Sequence, residues 1–211
     1  ILDNDVAVTP VMVNTLFSDD FSDGDASNWS ILDANGNTAD DWNLVQESNW
    51  TTPFGIYTDY FMASYSWNGT AYSPNNFLST PQILIPVGST NINLSYFAGS
   101  ASDPVFFNEN YEVWISSAIG TQANITSGTR LVDSVIPQMG GATYNVAIPN
   151  SFAGQNVYIS FRHHDTTDEW LLGVDNVVVT AQQTISIQTT TNVATLGQNR
   201  LKGNGTAYYR D

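Results

Sequence analysis

Hydrophobic and polar positions alternate along most of the second half of the chain, with the two-residue period of β-strands. Seven runs rich in β-branched and aromatic residues carry this pattern, at 82–87, 91–99, 110–117, 129–136, 143–149, 156–164 and 171–180. Gly, Pro, Asn and Asp separate the runs, at a spacing of roughly 8–15 residues. No segment shows a convincing amphipathic helix. The pattern therefore predicts an all-β protein built as an antiparallel sandwich or jelly roll.

Residues 17–80 have a different character, because Asp, Asn and aromatic residues crowd between short apolar segments. Short strands are predicted around 29–32 and 42–45, and a further strand begins "YFMASY", loops through 68–76 and re-enters the sheet near Leu78. Long loops of this composition are where a β-sandwich usually carries its function.

The composition changes again after Val179, where the chain becomes rich in Thr, Gln and Asn and holds three of the five basic residues. We therefore predict one domain over 16–181. Residues 1–15 are expected to be an N-terminal linker or the remnant of a preceding domain. Residues 182–211 are expected to be a linker or the start of a following module.

Charge narrows the possible partners. The chain has 20 acidic residues against 5 basic ones, giving a formal net charge of −15. A phosphate backbone or an anionic membrane surface would be repelled, so nucleic acid and membrane surfaces are set aside. Sixteen of the acids are Asp, which favours tight turns and oxygen-ligand cation sites over helices.

The residue types that the sequence lacks exclude further kinds of structure and of functional site. Because there is no cysteine, a disulfide framework, a thiolate metal site and a cysteine nucleophile are excluded. No apolar run approaches the about 18 residues of a membrane-spanning helix. The chain begins "ILDNDVAVTP", without Met or a signal-peptide pattern, and we interpret it as a mature or excised piece of a longer protein.

The stretch "SFRHHDTTDEWLLGVDNVVV" (160–179) holds the only two histidines among four acids, and it raises the question of a catalytic or metal centre. In a regular strand, His163 and His164 point to opposite faces, so they cannot bind one metal ion together. No G-x-S-x-G, H-E-x-x-H or P-loop motif accompanies them. Paired carboxylates of a glycosidase are an alternative, but chance pairs are expected among 20 acids. We predict no catalytic residues and no enzymatic activity.

A calcium site is the more plausible use of the acids. Ca²⁺ takes six to eight oxygen ligands, and the first and last strands of a jelly roll are often close in space. Two stretches place acids beside apolar strand residues, "LFSDDFSDGD" and "GVDNVVV". The candidate metal ligands are Asp19, Asp20, Asp23, Asp175 and Asn176. The loop "LDANGNTADDWN" (32–43) has the density of Asp, Asn and Gly that is typical of a calcium loop, but it lacks the full EF-hand register. Solvated Asx turns are the alternative there.

Eight aromatic residues crowd the loop-rich half of the chain, and some of them are candidates for a sugar-stacking platform. The candidate ligand-binding residues are Trp50, Trp67 and Tyr72. Packing in the core and anchoring of loops is the more common use of such residues, and it remains the alternative.

Five motifs in a fixed order resemble the cleaved-adhesin, or choice-of-anchor J, domains of Bacteroidota surface proteins, including the haemagglutinin/adhesin modules of the gingipains. They are an acid before a Phe near the start, "W..LDANGN…DDW", "ASYSWNG…SPNNFLSTPQI", "YEVWISSAIGT" and "ISFRHHDTTDEWLLGVDNVVV". The resemblance implies a jelly-roll sandwich similar to MAM and galactose-binding-like modules. It also implies structural calcium, held through Asp20 and the Asp175–Asn176 pair.

The same resemblance implies a non-catalytic module of a multidomain secreted or cell-surface protein, often exported by the type IX system. Three functions stay open: an adhesin-like module that binds an extracellular protein or glycan, a carbohydrate-binding module beside a catalytic domain, and a structural spacer. Each of them implies further domains of the same polypeptide as partners.

Overall fold

The computed structural model of the chain describes residues 10–46, 59–100 and 104–184. Within them the chain forms twelve strands, one short helix and a single 3₁₀ turn at Asn150–Phe152. The strands are β1 Val11–Asp19, β2 Ser30–Asp33, β3 Asn43–Gln46, β4 Tyr60–Tyr65, β5 Asn75–Ser79, β6 Ile83–Leu84, β7 Thr90–Gly99, β8 Asn110–Ser116, β9 Thr129–Val135, β10 Ala142–Ile148, β11 Asn156–His164 and β12 Leu171–Thr184. Each of the seven predicted runs overlaps one of these strands.

The strands form two antiparallel sheets, which confirms the predicted jelly-roll β-sandwich. The first sheet has the order β10-β7-β12-β4-β3, and β1 also pairs with β12. The second has the order β2-β5-β11-β8-β9, and β6 also pairs with β11. Most neighbours are distant in sequence, as expected when the chain crosses between the two layers.

The core lies between the sheets and follows from the alternation in the sequence. Ile92, Leu94 and Tyr96 of β7 meet Ile159 and Phe161 of β11 in one buried cluster. Because alternate residues of a strand face one side, each strand supplies every second side chain to this layer. A second, smaller cluster of Phe61, Ala63, Phe97 and Leu171 packs separately, with Trp170 against it.

A five-residue helix, α1 (Gln122–Thr126), was not predicted from the sequence. Thr121 caps it by accepting a hydrogen bond from the backbone N–H of Asn124, and Ile125 is its one buried side chain. One turn and a half is too short to show a helical period of apolar residues, which is why the sequence pattern misses it.

The paired strands extend beyond the predicted domain limits at both ends. Val11 pairs with Thr184, and the ladder runs from there to Asp19 opposite Val177. Val11, Met12 and Val13 are about half exposed, so this part of the ladder is held by backbone pairing and shows no burial pattern in the sequence. The division into linker, domain and following segment stays a prediction, and 185–211 lie outside the described residues.

Candidate functional site

A pocket of about 280 Å³ opens at one end of the sandwich, beside the start of β12. Its lining consists of three aromatic and two acidic side chains, which are Trp67, Phe106, Asp168, Glu169 and Trp170. We call it the Trp67 pocket. Trp67 is 40% exposed and Phe106 is 44% exposed, although large aromatic side chains usually lower the free energy by burial. Exposed rings gathered around a concavity are typical of a ligand site.

Backbone hydrogen bonds lock together two of the three chain segments that form the pocket. The N–H groups of Ser66 and Trp67 both donate to the carbonyl oxygen of Trp170, at 2.9 and 3.0 Å. In return, the N–H of Asp168 donates to the carbonyl oxygen of Ser66 at 3.1 Å. The hydroxyl of Ser66 also accepts from the N–H groups of Glu169 and Trp170. The rings of Trp67 and Trp170 therefore stand on a rigid frame.

A buried carboxylate beneath the pocket holds this frame. Oε1 of Glu109 accepts from the Ser66 hydroxyl at 2.8 Å and from the Trp170 N–H at 2.9 Å. Oε2 of Glu109 lies 2.9 Å from Nε2 of His163, and both side chains have no exposed surface. A buried carboxylate is costly unless it is paired and hydrogen-bonded, and this one has three partners.

The hydrogen-bond pattern assigns the protons on His163. Ser64 donates its hydroxyl proton to the carbonyl oxygen of Asp40 at 2.7 Å, so its oxygen must accept from Nδ1–H of His163, at 2.9 Å. Nε2 then shares one proton with Glu109, which already accepts two N–H or O–H bonds as a carboxylate does. His163 and Glu109 therefore form a buried pair that holds one shared proton and has no net charge.

His164 points to the other face of β11, which confirms that the two histidines do not face one site. Its Nδ1 contacts the carboxylate of Asp165 at 3.0 Å, and its Nε2 lies 4.0 Å from Oε2 of Glu112. Ligand atoms of Glu112, Asp133 and His164 lie within 4.8 Å of one another, the one such group of three among the described residues.

Arginine side chains already satisfy the carboxylates of this group. Arg130 contacts Glu112 at 2.7 Å and Asp133 at 2.9 Å, and Arg162 contacts Glu112 at 2.9 Å. Burial raises the pKa of Glu112, but hydrogen bonds from Arg130, Arg162 and Trp114 outweigh it and lower the pKa to about 2. The group is an ion-pair network on the outer face of the sheet, and its two guanidinium groups disfavour a metal ion.

Four of the five predicted metal ligands line one concavity, where β1 leads into the following loop. Its lining is Ser18, Asp19, Asp20, Ser22, Asp23, Asn28, Asn176 and Val178. The pairing of Asp19 with Val177 brings the two stretches together, which confirms the predicted contact between the first and last strands. The oxygen-rich lining suits Ca²⁺ chemically. Its carboxylates are spread along the lining and form no group of three within 4.8 Å among the described residues.

Local hydrogen bonds hold the acids of this concavity. Asp19 accepts from the N–H of Phe21 and from the indole N–H of Trp29, at 2.9 and 2.8 Å. Asp20 accepts both the hydroxyl and the N–H of Ser22 through Oδ1. The hydroxyl bond, followed by the backbone bond, lowers the pKa of Asp20. Its carboxylate is therefore charged at neutral pH.

Asp175 does not line the concavity, although the sequence groups it with the candidate ligands. It is fully buried and accepts from the backbone N–H of Asn176 at 2.6 Å and from the Asn176 side chain at 3.1 Å. A register shift opposite β7 falls between Asp175 and Val178, and Asn176 has a φ of 52°. This bulge turns Asn176 out to the concavity and leaves Asp175 inside.

The loop 32–43 contains a buried carboxylate that is held by side-chain amides. Asp33 makes the expected Asx turn by accepting from the N–H groups of Asn35 and Gly36. Asp40, however, is fully buried, and its carboxylate accepts from the side-chain amides of Asn35, Asn37 and Asn76 at 2.8–2.9 Å. These bonds tie the loop to β5, which explains the many Asn side chains in this segment.

The predicted ligand-binding aromatics have three different outcomes. Trp67 lines the pocket, and Trp50 lies outside the described residues. Tyr72 is half-buried in the same loop as Trp67, donates its N–H to the Ser66 carbonyl and is not part of the lining. Trp29 and Trp42 are buried core residues, as the packing alternative predicts.

Sequence reasoning missed four of the five lining residues: Phe106, Asp168, Glu169 and Trp170. In the structure Asp168 and Glu169 line the Trp67 pocket, while Asn176 lines the acidic concavity. An aromatic residue directly after two acids, at the entry to a strand, was the signal available for a separate site.

The fold and the pocket define a β-sandwich module that presents an aromatic pocket from loops at one end. The profile of the Cleaved Adhesin Domain matches residues 14–179, and the chain belongs to this family. The resemblance expected from the sequence motifs is thereby confirmed.

The relatives are haemagglutinins and gingipains of Porphyromonas gingivalis. Hemagglutinin A is 28% identical over 181 residues, covering 73% of this chain and 6% of that protein. Lys-gingipain W83 is 25% identical over 181 residues, covering 79% of this chain and 10% of that protein. The matched region is thus a small module of much longer chains.

A solved structure shows the same fold. The K1 cleaved adhesin domain of Lys-gingipain from P. gingivalis W83 superposes with a TM-score of 0.64 at 24% identity, covering 79% of this chain and 97% of that domain. In the described residues, no helix is long and apolar enough to cross a bilayer.

Proposed function

We propose that the chain is a non-catalytic, adhesin-like binding module of a larger secreted or cell-surface protein, and that the Trp67 pocket holds its ligand. The observation that carries this proposal is the rigid presentation of exposed rings. Trp67 and Phe106 remain about 40% exposed. The frame under Trp67 is held by hydrogen bonds of Ser66 and Trp170 to the buried carboxylate of Glu109, and the loop of Phe106 is tied to Glu169 through the N–H of Asn108. A preorganised apolar surface binds with little ordering cost.

The absence of catalysis is part of the proposal, and the histidines support it. His163 and Ser64 have no exposed surface, and the Ser64 hydroxyl is already donated to the Asp40 carbonyl. A nucleophile and its base must reach a substrate, whereas this pair is sealed between the sheets. The role that fits is support of the frame under the pocket.

The ligand is an extracellular protein or a glycan, and one experiment separates these classes from a structural spacer. The purified chain is tested on a glycan array and in pull-downs with extracellular-matrix proteins, beside Trp67→Ala and Tyr72→Ala. Tyr72 is the matched control, because it is an aromatic residue of the same loop outside the lining. Binding that is lost in Trp67→Ala and kept in Tyr72→Ala supports the proposal. No binding in either assay favours the spacer.

Glycan recognition is the second candidate function, in which the module targets a catalytic domain elsewhere in the parent chain. It is favoured by the Trp67 ring, since exposed indole faces stack on the apolar faces of sugars. Secretion, with export by the type IX system, belongs to the same proposal. A hydrolase domain in the parent gene would favour the glycan-targeting function.

We also propose that calcium stabilises the module through Asp19, Asp20, Asp23 and Asn176, with Asp175 positioning Asn176. Carboxylates gathered in a chain of net charge −15 repel one another unless a cation neutralises them. Calcium that binds only the folded state at a hundred times its dissociation constant stabilises by about 2.7 kcal/mol.

Chelation should therefore lower the melting temperature, and millimolar calcium should restore it better than magnesium does. Asp20→Ala should remove most of this response. Asp25→Asn is the control, since Asp25 is an exposed acid of the same loop outside the lining. Metal analysis must show that chelation removed the metal from the protein. If the melting temperature is then unchanged, the calcium proposal is refuted.

A further inference from the structure

We infer that the Trp67 pocket takes a cationic side chain, the guanidinium or ammonium group of an Arg or Lys residue on a protein partner. The inference rests on the proposed function, because it names the ligand class of the same pocket. Three features of the structure support it: the chemistry of the lining, the placement and hydrogen bonds of the two acids, and the balance of charge around them.

The lining combines aromatic faces with carboxylates. Trp67, Phe106 and Trp170 form the apolar wall, and the charged lining side chains are Asp168 and Glu169. A carboxylate only accepts hydrogen bonds, and a guanidinium or ammonium group only donates them. Indole faces attract the same cations through the ring quadrupole, and Trp does so best. No side-chain amide, hydroxyl or basic group of the lining offers the mixed donors and acceptors that a sugar hydroxyl array needs.

The acids are placed by the frame and keep acceptor capacity. Glu169 accepts the N–H of Asn108 through Oε2 at 3.2 Å, which ties its carboxylate to the loop that carries Phe106. Asp168 is held through its own N–H to the Ser66 carbonyl, with a φ of 60°, and its side chain is exposed. The backbone of both acids is thus fixed before a ligand arrives.

No cation of the described chain neutralises these two acids. Its Lys and Arg residues are Arg130 and Arg162, and both are engaged at Glu112 on the outer face of the other sheet. His163 lies beneath the pocket, but it is fully buried and paired with Glu109. Among the described residues, the negative charge of the pocket is therefore uncompensated, and in a chain of net charge −15 it attracts cations and repels anions.

The aromatic wall favours an organic cation over a metal ion. Indole and phenyl groups supply no oxygen ligand, whereas the stem of a Lys or Arg side chain packs on apolar surface while its head reaches a polar group. A pocket of about 280 Å³ that opens to solvent accepts one such side chain from a partner surface. An exposed basic segment of an extracellular protein is the partner that this chemistry fits.

The test uses the full chain and two peptides that differ only in charge, acetyl-Gly-Arg-Gly-amide and its citrulline counterpart. Binding is followed through the indole ¹H–¹⁵N resonances, assigned by single Trp replacements. We expect the arginine peptide to shift the Trp67 and Trp170 signals with an affinity at least about tenfold higher than the citrulline peptide, which corresponds to one cation–π contact with a carboxylate nearby. The comparison needs no variant, so a folding defect cannot obscure it.

Variants then locate the binding. Trp67→Ala and the double variant Asp168→Asn/Glu169→Gln should each weaken the arginine peptide about tenfold. Asp25→Asn, a charge change at an exposed acid outside the pocket, should alter the affinity less than about twofold. If Asp25→Asn weakens binding as much as the double variant does, the peptide binds through the net charge of the chain and not through the pocket. The inference is then overturned.

The remaining outcomes separate this inference from the proposed function. If the citrulline peptide, cellohexaose or chitohexaose shifts the same indole signals as strongly as the arginine peptide, the pocket binds ligands but does not select cations. The inference then fails and the proposed function stands. If none of these probes shifts the Trp67 or Trp170 signals, and Trp67→Ala leaves the array and pull-down results unchanged, both are overturned.

Discussion

Removal of the imidazole ring at position 163 tests the buried network under the pocket. In His163→Ala, the carboxyl group of Glu109 would stay buried without its partner, and the Ser64 hydroxyl would lose its donor. Breaking a fully buried pair by deleting one partner costs about 3–5 kcal/mol. The free energy of unfolding of such a domain is about 5–15 kcal/mol in total, so His163→Ala should remove a large part of its stability.

Glu109→Gln should be much milder, for a reason specific to the proton assignment. The carboxamide oxygen can keep the bonds from the Ser66 hydroxyl and the Trp170 N–H. Its N–H can donate to Nε2 of His163, whose one proton then stays on Nδ1. Every hydrogen bond is remade without a buried charge, so the loss should stay within about 1.5 kcal/mol. By the same reasoning, Glu109→Gln/His163→Ala should be more stable than His163→Ala alone, because no charge is left unpaired.

Urea unfolding at pH 7, followed by tryptophan fluorescence, measures all three variants on the same scale. The order expected is wild type, Glu109→Gln, the double variant and His163→Ala, from most to least stable. The proton assignment is wrong if His163→Ala loses less than about 1 kcal/mol, or if Glu109→Gln is as unstable as His163→Ala. A stable Glu109→Gln protein that keeps its ligand would further show that the frame needs the bonds of residue 109 and not its charge.

Three other predictions concern separate parts of the sandwich. Ion pairing with arginine lowers the pKa of Glu112 from its ordinary value of 4.5 to about 2, so it stabilises the fold above pH 4.5, and this contribution is lost as the pH falls towards 2. Melting curves of Glu112→Gln should show lower stability at pH 7 and a smaller loss over that acid range. Asp40→Ala should cost about 2 kcal/mol or more in urea unfolding, because the buried amide of Asn76 and the amides of Asn35 and Asn37 lose an acceptor. A chain ending at Thr184, where β12 ends, should keep the melting temperature of the full chain, and a loss of several degrees would show that 185–211 contribute to the fold.

The contrast between His163 and His164 marks where sequence reasoning succeeds and where it stops. Strand alternation alone puts the two side chains on opposite faces, and the structure agrees because β11 is regular through this stretch. Alternation does not say what faces each histidine. Glu109 reaches His163 from 54 positions away, since β8 lies beside β11 in the sheet, and no local pattern marks that pair.

The sequence by itself determined the strands, the sandwich and the family. These depend on a two-residue period of burial and on motifs of neighbouring residues, which are local properties of the chain. It also brought the first and last strands together, and with them four of the five candidate metal ligands. A bulge at Asp175 and Asn176 then separated the fifth, because one extra residue reverses which side chains face inward.

Only the tertiary structure decided the pocket. Trp67, Phe106 and Trp170 come from three segments far apart in sequence, and their meeting depends on strand order and on the hydrogen bonds of Glu109 and Ser66. Composition shows how many aromatic residues the chain has, but not which of them remain exposed. Exposure is fixed by what packs over each ring, and that is a property of the assembled sheets and loops.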